Sequence, residues 1–260
     1  MKTYLIVLAL SFSLLFPNHS EAQEVQEFYE IKLYLIDNPE QEELTDNYLK
    51  NAYIPALNRA GIKNIGVFKP VKNDTVHYGK RIYVLTPFKS VQQFFEIPGL
   101  LKSDNQYLKA AHDYLNAPHD KSPYNRIETT FLKAFKNMPF MKLPQLKGNR
   151  KEHIYELRSY ESATESLLEK KIHMFNEGGE IPLFDSLNFN AVFFAETLVG
   201  NQMPNLMYMT SFNSLEVRDQ YWKAFFSSEK WKELIANKYY DNSVSKAEIF
   251  LLNRMPYSGI

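Results

Sequence analysis

Two short stretches of the chain alternate apolar and polar side chains and begin with similar letters. From Tyr29 to Tyr34 the sequence reads YEIKLY, and from Tyr155 to Tyr160 it reads YELRSY. A period of two predicts β-strands, because successive side chains of a strand point to opposite faces of the sheet. Each predicted strand therefore has one largely apolar face and a second face that carries an acid, a base and a phenol.

These two strands begin two copies of one unit. FYEIKLY aligns with IYELRSY, IPALNRAGI with IPLFDSLNF, and IYVLTPFKSV with LMYMTSFNSL, at offsets of 124 to 127 residues. Offsets that change so little across three separated segments indicate a tandem duplication. The pattern of each copy predicts a strand, a helix, two strands, a helix and a strand. Asn38 and Pro39 are the predicted N-cap and first residue of one helix, and Ser162 with Glu165 forms a predicted capping box for another.

This order of elements predicts the fold. A βαββαβ unit is ferredoxin-like, with four antiparallel strands and both helices on one face of the sheet. The uncovered faces of two such sheets must also be buried. We therefore predict an α+β fold in which tandem ferredoxin-like units pack sheet to sheet as an intrachain dimeric α/β barrel. Residues 23–135 form the predicted N-terminal half, residues 136–152 a linker, and residues 153–260 the C-terminal half.

The charged face of each opening strand supplies the candidate site. If Tyr155, Leu157 and Ser159 lie under the helices, the residues between them point into the space enclosed by the two sheets. A buried acid and base must pair or contact a ligand, because an isolated buried charge is too costly to keep. The predicted ligand-binding residues are Glu30, Lys32, Tyr34, Glu156, Arg158 and Tyr160. A structural ion-pair network explains the same residues, and the sequence leaves both interpretations open.

The first residues of the chain predict export. Lys2 precedes an apolar run from Tyr4 to Phe16, and Ser20 and Ala22 are small residues at the positions that a signal peptidase reads. The run is too short to span a bilayer comfortably, which takes about 20 residues. Residues 1–22 are therefore a predicted signal peptide rather than a membrane anchor. We expect the mature chain in the periplasm or outside the cell.

Charge and composition narrow the classes of partner. The chain has 30 basic and 30 acidic residues, and this neutrality argues against binding to nucleic acid or to an anionic membrane surface. It contains no cysteine, so an exported chain of this length must be stabilised by packing. With only 9 glycines and no close pair of histidines, neither a cofactor nor a metal ion is expected. Free outer sheet edges would permit a homo-oligomer.

The C-terminal half resembles a known family. YELRSY, VGNQMPNLMYMTSF, RDQYWKAFFSSEKWKEL and the ending LNRMPYSGI are similar to four ordered motifs of the NIPSNAP family, from about His153 to Ile260. The first copy shares YEIKLY but lacks both tryptophans of the helical motif. The resemblance implies a dimeric α/β barrel. It implies no catalytic residue, because no reaction is established for the family as a whole.

These observations favour an exported protein that binds a small, partly apolar molecule in the barrel interior or mediates an interaction. The alternative is a cofactor-independent enzyme of the oxygenase or isomerase type. In that enzyme Glu156 and Tyr160 would transfer protons in the interior while Arg158 holds an anionic oxygen. The enzyme hypothesis rests on fold analogy alone.

Overall fold

Eight antiparallel strands close into one barrel in the computed structural model, which describes residues 25–260. The order around the barrel is β1-β3-β2-β8-β5-β7-β6-β4. The predicted signal peptide, residues 1–22, lies outside the described residues. The strands are β1 (Phe28–Leu35), β2 (Gly66–Pro70), β3 (Arg81–Phe88), β4 (Arg126–Ala134), β5 (Ile154–Glu161), β6 (Asn190–Val199), β7 (Asn205–Phe212) and β8 (Lys246–Arg254).

Helices follow the first and third strand of each half, which confirms the tandem ferredoxin-like order. In the first half they are α1 (Pro39–Tyr48), a π-helical turn (Leu49–Tyr53), α2 (Ile54–Arg59), α3 (Val91–Ser103), α4 (Asn105–Ala110) and α5 (His112–Leu115). In the second half they are α6 (Glu165–Asn176), α7 (Glu180–Ser186), α8 (Leu215–Ser227), α9 (Glu229–Ala236) and a 3₁₀ turn (Lys238–Tyr240). Among the helices described between residues 25 and 260, none combines the length and the hydropathy of a membrane-spanning segment.

Local hydrogen bonds set where these helices begin. The side chain of Asn38 accepts from the backbone N–H of Gln41, and Pro39 is the first helical residue, as predicted. The predicted cap at Ser162 is wrong, because Thr164 caps α6 by accepting from the Leu167 N–H. The Ser162 hydroxyl is buried and donates instead to the carbonyl of Ser243, at 2.7 Å. Its place in the packing, rather than its spacing in the sequence, determines its partner.

Two seams join the halves into a closed wall. At the first seam β4 pairs with β6, from Phe131 opposite Val199 to Ala134 opposite Ala195, with a bulge between Phe131 and Leu132. At the second seam β2 pairs with β8. Because each of the eight described strands has a neighbour on both sides, the predicted free outer edges are wrong. Homo-oligomerisation stays a prediction, but sheet edges give it no support.

An apolar cluster from both halves fills one end of the barrel. Tyr29, Phe68 and Tyr155 are nearly or completely buried there and are packed with Phe193 and Leu252. The C-terminal Ile260 belongs to the same cluster, and Met141 and Leu146, from the segment between β4 and β5, pack against it. This end of the interior is therefore solid, and any ligand site inside the barrel must lie toward the other end.

Candidate functional site

The predicted site residues lie on the outer, helix-covered side of the barrel wall, so their predicted position in the interior is wrong. Leu157 of β5 lies opposite Met209 of β7, and both belong to the interior cluster. Arg158 lies opposite Tyr208, which is buried beneath the C-terminal helices. The predicted alternation of the strand is correct, but the prediction assigns its two faces the wrong way round. The face expected in the interior lies under the helices, and the face expected under the helices lies in the interior.

The exchange has a physical cause. Both faces of β5 are buried, one by the opposite wall of the barrel and the other by helices, so alternation alone does not say which face is which. The helix layer supplies partners for charged groups, whereas the solid end of the barrel interior is filled by apolar and aromatic side chains. Glu156 and Arg158 therefore lie where hydrogen-bond partners are available.

Glu156 is the centre of a buried ion-pair network. Its side chain is fully buried, and its carboxylate accepts from Arg158 Nε at 2.5 Å, Arg218 Nε at 2.7 Å and Trp222 Nε1 at 2.9 Å. The Arg158 guanidinium lies 3.6 Å from the centre of the Trp222 ring and donates to the Tyr160 hydroxyl at 2.9 Å. These contacts form the structural ion-pair network that the sequence left open as the second interpretation.

The Tyr208 phenol of this network remains neutral. The Tyr160 and Tyr208 hydroxyls are 2.8 Å apart. Burial raises the pKa of Tyr208 well above its usual value, and the nearby Tyr160 adds to the effect. Burial also opposes the charge on Arg158, but the oxygens of Tyr208, Tyr160 and Glu156 hold its pKa above the usual value. The arginine therefore stays charged and is neutralised by Glu156.

The equivalent residues of the first half lie under their own helices. Lys32 Nζ is 3.5 Å from Glu30 and donates to the Tyr53 hydroxyl at 3.2 Å. Tyr34 is buried in the cluster beneath the N-terminal helices, with its ring edge on to that of Tyr124. The two polar sets do not meet, because the barrel wall separates each of them from the interior.

A pocket of about 260 Å³ lies inside the barrel, opposite the solid end. It is found where β1 and β5 end and where β3, β4, β7 and β8 begin. We call it the mouth pocket. Its apolar lining includes Ile31, Leu33, Met207 and Phe250, and its polar lining includes His77, Arg81, Tyr83, Glu128, Ser159, Asn205 and Glu248.

Asn205 places an unpartnered acceptor in the mouth pocket. Its side chain is 2% exposed, and its Nδ2 donates to Ser159 Oγ at 2.9 Å. Its carbonyl oxygen, Oδ1, is buried and accepts no hydrogen bond. Buried polar groups of native proteins are nearly always hydrogen-bonded, so an exception on the wall of a pocket is a functional candidate.

A histidine and a carboxylate form a pair at the same opening. His77 Nδ1 is 3.0 Å from Asp74 Oδ2, and the backbone N–H of His77 donates to Asp74 Oδ1, also at 3.0 Å. The His77 ring meets the ring of Phe250 edge on, with centroids 5.8 Å apart. Burial alone would raise the pKa of Asp74, but the hydrogen bonds from His77 lower it below the usual 3.8.

Charges of both signs surround the opening. Arg81 Nη1 donates to the Tyr83 hydroxyl at 3.2 Å, and the guanidinium lies 5.5 Å from the centre of the Phe250 ring. Glu128 accepts from Asn201. Glu248 is 3.1 Å from Lys246, outside the pocket lining. The opening therefore offers hydrogen-bond donors and acceptors to a polar ligand group, while the wall below is apolar.

A larger groove lies on the outside of the barrel. It measures about 950 Å³ and is lined by residues of β5, β8 and neighbouring loops, including Ile154, Leu251 and Arg254. None of the four unpartnered buried side-chain atoms found within residues 25–260 belongs to its lining. We therefore take the mouth pocket, and not this groove, as the candidate site. No group of three side chains in the described part of the chain could hold a metal ion.

Sequence reasoning missed the residues of the mouth pocket. His77 lies in the loop before β3, and it is far in sequence from Asn205 and Ser159, so spacing gives no sign that they meet. Ser159 was placed on the correct strand face, but that face was expected to lie under the helices. The one available signal is Asn205, because it belongs to the NLMYM segment by which the second half resembles the NIPSNAP family.

Comparison with known proteins finds a family model that matches part of the chain. Residues 155–259 match the family model described as NIPSNAP, which confirms the resemblance. A NIPSNAP-like domain protein from Burkholderia xenovorans is 18% identical over 42% of this chain and 90% of its own, with a TM-score of 0.37. A comparison with curated proteins finds no significant match.

Several solved structures match nearly the whole chain. A candidate monooxygenase from Lactobacillus acidophilus superposes with a TM-score of 0.57 at 12% identity, over 88% of this chain and 94% of its own. A second, from Fusobacterium nucleatum, gives a TM-score of 0.57 at 6% identity, over 88% and 93%. Identities this low show a common fold and nothing of the activity. Residues 155–259 of the chain thus match the NIPSNAP family model, and they lie within a single-chain barrel of the dimeric α/β type.

Proposed function

We propose that the protein binds a small, partly apolar molecule with a hydrogen-bond donor in the mouth pocket. The observation that carries this proposal is the buried, unpartnered Oδ1 of Asn205 beside apolar walls. A buried acceptor left without a partner costs about 1–3 kcal/mol. A ligand N–H or O–H group would remove this cost, while its apolar part would contact Met207 and Phe250.

The size of the pocket limits the ligand. A cavity of about 150 Å³ is large enough to bind benzene, and the mouth pocket measures about 260 Å³. A molecule with one or two rings and few polar groups is therefore the expected class. Two proteins that share the fold are described as candidate monooxygenases, a class of enzyme that acts on small molecules, and this supports a small ligand over a macromolecule.

Calorimetry tests the proposal with small aromatic alcohols and amines, including 4-nitrobenzyl alcohol. We expect saturable binding to the wild-type protein and at least a tenfold loss in N205L, which removes the acceptor but keeps the number and branching of the side-chain heavy atoms. Tenfold corresponds to about 1.4 kcal/mol.

T210V is the matched control, because Thr210 Oγ1 is also buried without a partner but lies outside the mouth pocket. This variant should bind as the wild type does. Equal affinities of N205L and the wild-type protein would contradict the proposal. It would also be contradicted if none of the aromatic alcohols and amines bound to the wild-type protein.

We propose in addition that the protein acts outside the cytoplasm after cleavage between Ala22 and Gln23. The motif that supports this is the basic residue and apolar run before the small residues of the cleavage site. Mass spectrometry of the chain from the periplasm or medium should give an N-terminus at Gln23. A full-length chain confined to the cytoplasm would contradict it.

A further inference from the structure

We propose that His77 accepts a proton from the ligand of the mouth pocket and that this ligand is a hydroxylated aromatic compound, bound as its phenolate. The inference rests on the proposed function, since it requires that a small molecule occupies the pocket. It adds a chemical role for His77 and a class of ligand.

The geometry fixes the histidine for this role. Its Nδ1 is held by Asp74 at 3.0 Å, and its ring packs edge on against Phe250. No other residue of the described chain hydrogen-bonds to the ring, so Nε2 is the nitrogen left for a ligand at the pocket wall. A carboxylate that holds Nδ1–H fixes the tautomer in which Nε2 carries the lone pair, and it stabilises the imidazolium that forms after proton transfer.

The polar groups of the pocket select the ligand. Asn205 Oδ1 and His77 Nε2 are both acceptors, so they call for a ligand with O–H or N–H donors. Tyr83 and Phe250 supply aromatic walls for a flat ring. An aromatic ring with two donor groups, one of them an acidic hydroxyl, meets these requirements. An electron-withdrawing substituent brings the pKa of that hydroxyl close to the pKa of an imidazole, which an unsubstituted phenol and an aliphatic alcohol do not reach.

Charged groups from several elements face the histidine and its ligand. Asp74 lies on the same loop, Arg81 on β3, Glu128 on β4 and Glu248 on β8. Asp74, which holds Nδ1, compensates a positive charge on the ring. Glu128 and Glu248 of the pocket lining oppose a negative charge on the ligand, so Arg81 is the group there that compensates a phenolate.

The proposed step is a proton transfer and balances without a further reactant. The O–H bond of the ligand breaks, and a new N–H bond forms at Nε2 of His77. The electron pair of the broken bond stays on the ligand oxygen, which becomes a phenolate. The imidazolium charge is compensated by Asp74 and the phenolate charge by Arg81. No oxidant takes part in this step.

Visible absorption of 4-nitrophenol tests the inference, since its phenolate absorbs visible light and its neutral form does not. With the wild-type protein in excess, we expect phenolate absorbance to appear at lower pH than for the free probe. The ionisation equilibrium should change about tenfold, and H77Q should abolish this change. H112Q is the matched control, because His112 also pairs with an aspartate, Asp113, but on the exposed surface.

Parallel calorimetry with 4-nitrobenzyl alcohol, which donates a hydrogen bond but does not ionise, separates this inference from the proposed function. One outcome overturns the role of His77 and leaves the proposed function standing. In that outcome the alcohol binds to the wild-type protein, but bound 4-nitrophenol ionises equally in H77Q and in the wild type. No binding of either probe to the wild-type protein overturns both proposals. Circular dichroism and thermal unfolding of H77Q confirm that the variant is folded.

Discussion

A single buried carboxylate can organise the packing of a helix on a sheet. Glu156 accepts hydrogen bonds from its own strand through Arg158 and from α8 through Arg218 and Trp222. Taking a charged pair out of water is costly, and good geometry with additional hydrogen bonds is needed to offset it. Here the bonds cross between the two layers, so the network fixes the position of α8 on the barrel wall.

The first prediction concerns this network. E156Q should lower the free energy of unfolding by about 3–5 kcal/mol, because it leaves the Arg158 guanidinium buried without its counter-charge. Urea unfolding of E156Q, R158M and the double variant measures the effect. We expect the double variant to lose less stability than the sum of the two single variants, since the charges it removes are partners. Additive losses would show that the two residues act independently.

The second prediction concerns Asp74 and pH. Hydrogen bonds from His77 outweigh burial and lower the pKa of Asp74 below the usual 3.8 in the folded protein. A carboxyl whose folded pKa is lowered stabilises the fold above its unfolded pKa, and this stabilisation is lost as pH falls toward the folded value. The wild type should therefore exceed D74N in stability at pH 5 to 7, and the difference should shrink below about pH 4.

Unfolding in urea across this pH range is the measurement. D113N is the control, because the Asp113 side chain is 91% exposed and its replacement should have little effect at any pH. A difference between wild type and D74N that stays constant from pH 7 to pH 3 would contradict the assignment.

At the scale of elements, the segment after β8 connects the second half to the first. Met255 N–H donates to the carbonyl of Val67 at 2.9 Å, and Gly259 N–H donates to the carbonyl of Ile65 at 2.7 Å. Between them, the Val67 N–H donates to Ser258 Oγ at 3.0 Å. Ile260 then reaches the solid end of the barrel. The tail after β8 thus closes one end of the barrel interior that the two halves share.

The third prediction tests this tail. S258A should destabilise the protein by about 1–3 kcal/mol, because the buried Val67 N–H loses its acceptor. Thermal and urea unfolding give the value. Ser227 is a suitable control, since its hydroxyl also hydrogen-bonds to a backbone group. It donates to the carbonyl of Lys223, but it lies exposed at the end of α8. S227A should change the stability by less than about 0.5 kcal/mol. Equal effects of the two substitutions would contradict a special role for the tail.

Elements were predictable where their signals are local. The order of strands and helices follows from periodicities of about 2 and 3.6 residues, and Asn38 before Pro39 is a local cap. The cap of α6 was misassigned because both Ser162 and Thr164 suit the position, and only tertiary contacts distinguish them. The mouth pocket is formed by a loop and strand ends that are distant in sequence, so its composition could not be read from spacing.

At the scale of the whole molecule, the barrel explains why the faces of β1 and β5 were exchanged. An open sheet has one buried and one solvated face, and charge then identifies the outside. A closed barrel with a helix layer buries both faces, and the narrow interior takes the apolar set. Tyr155 and Leu157 therefore point inward, while Glu156 meets the helices. Each half alone would expose its interior face to water.

The fourth prediction follows from this exposure. A fragment of residues 153–260 should form a homodimer, because Tyr155, Leu157 and Met209 would otherwise be solvated, and each buried Leu-sized side chain contributes about 1.5–3 kcal/mol. Sedimentation of the fragment over a range of concentrations measures its state. L157K should make it a monomer or prevent its folding.

The matched control for this prediction is I249K. Ile249 of β8 lies beside Arg158 of β5 on the outer side of the wall and is 45% exposed, so a charge there should leave the dimer intact. If the unmodified fragment sediments as a folded monomer at all concentrations, the interior face does not require a partner. The joining of two halves in one chain would then have a cause other than burial of that face.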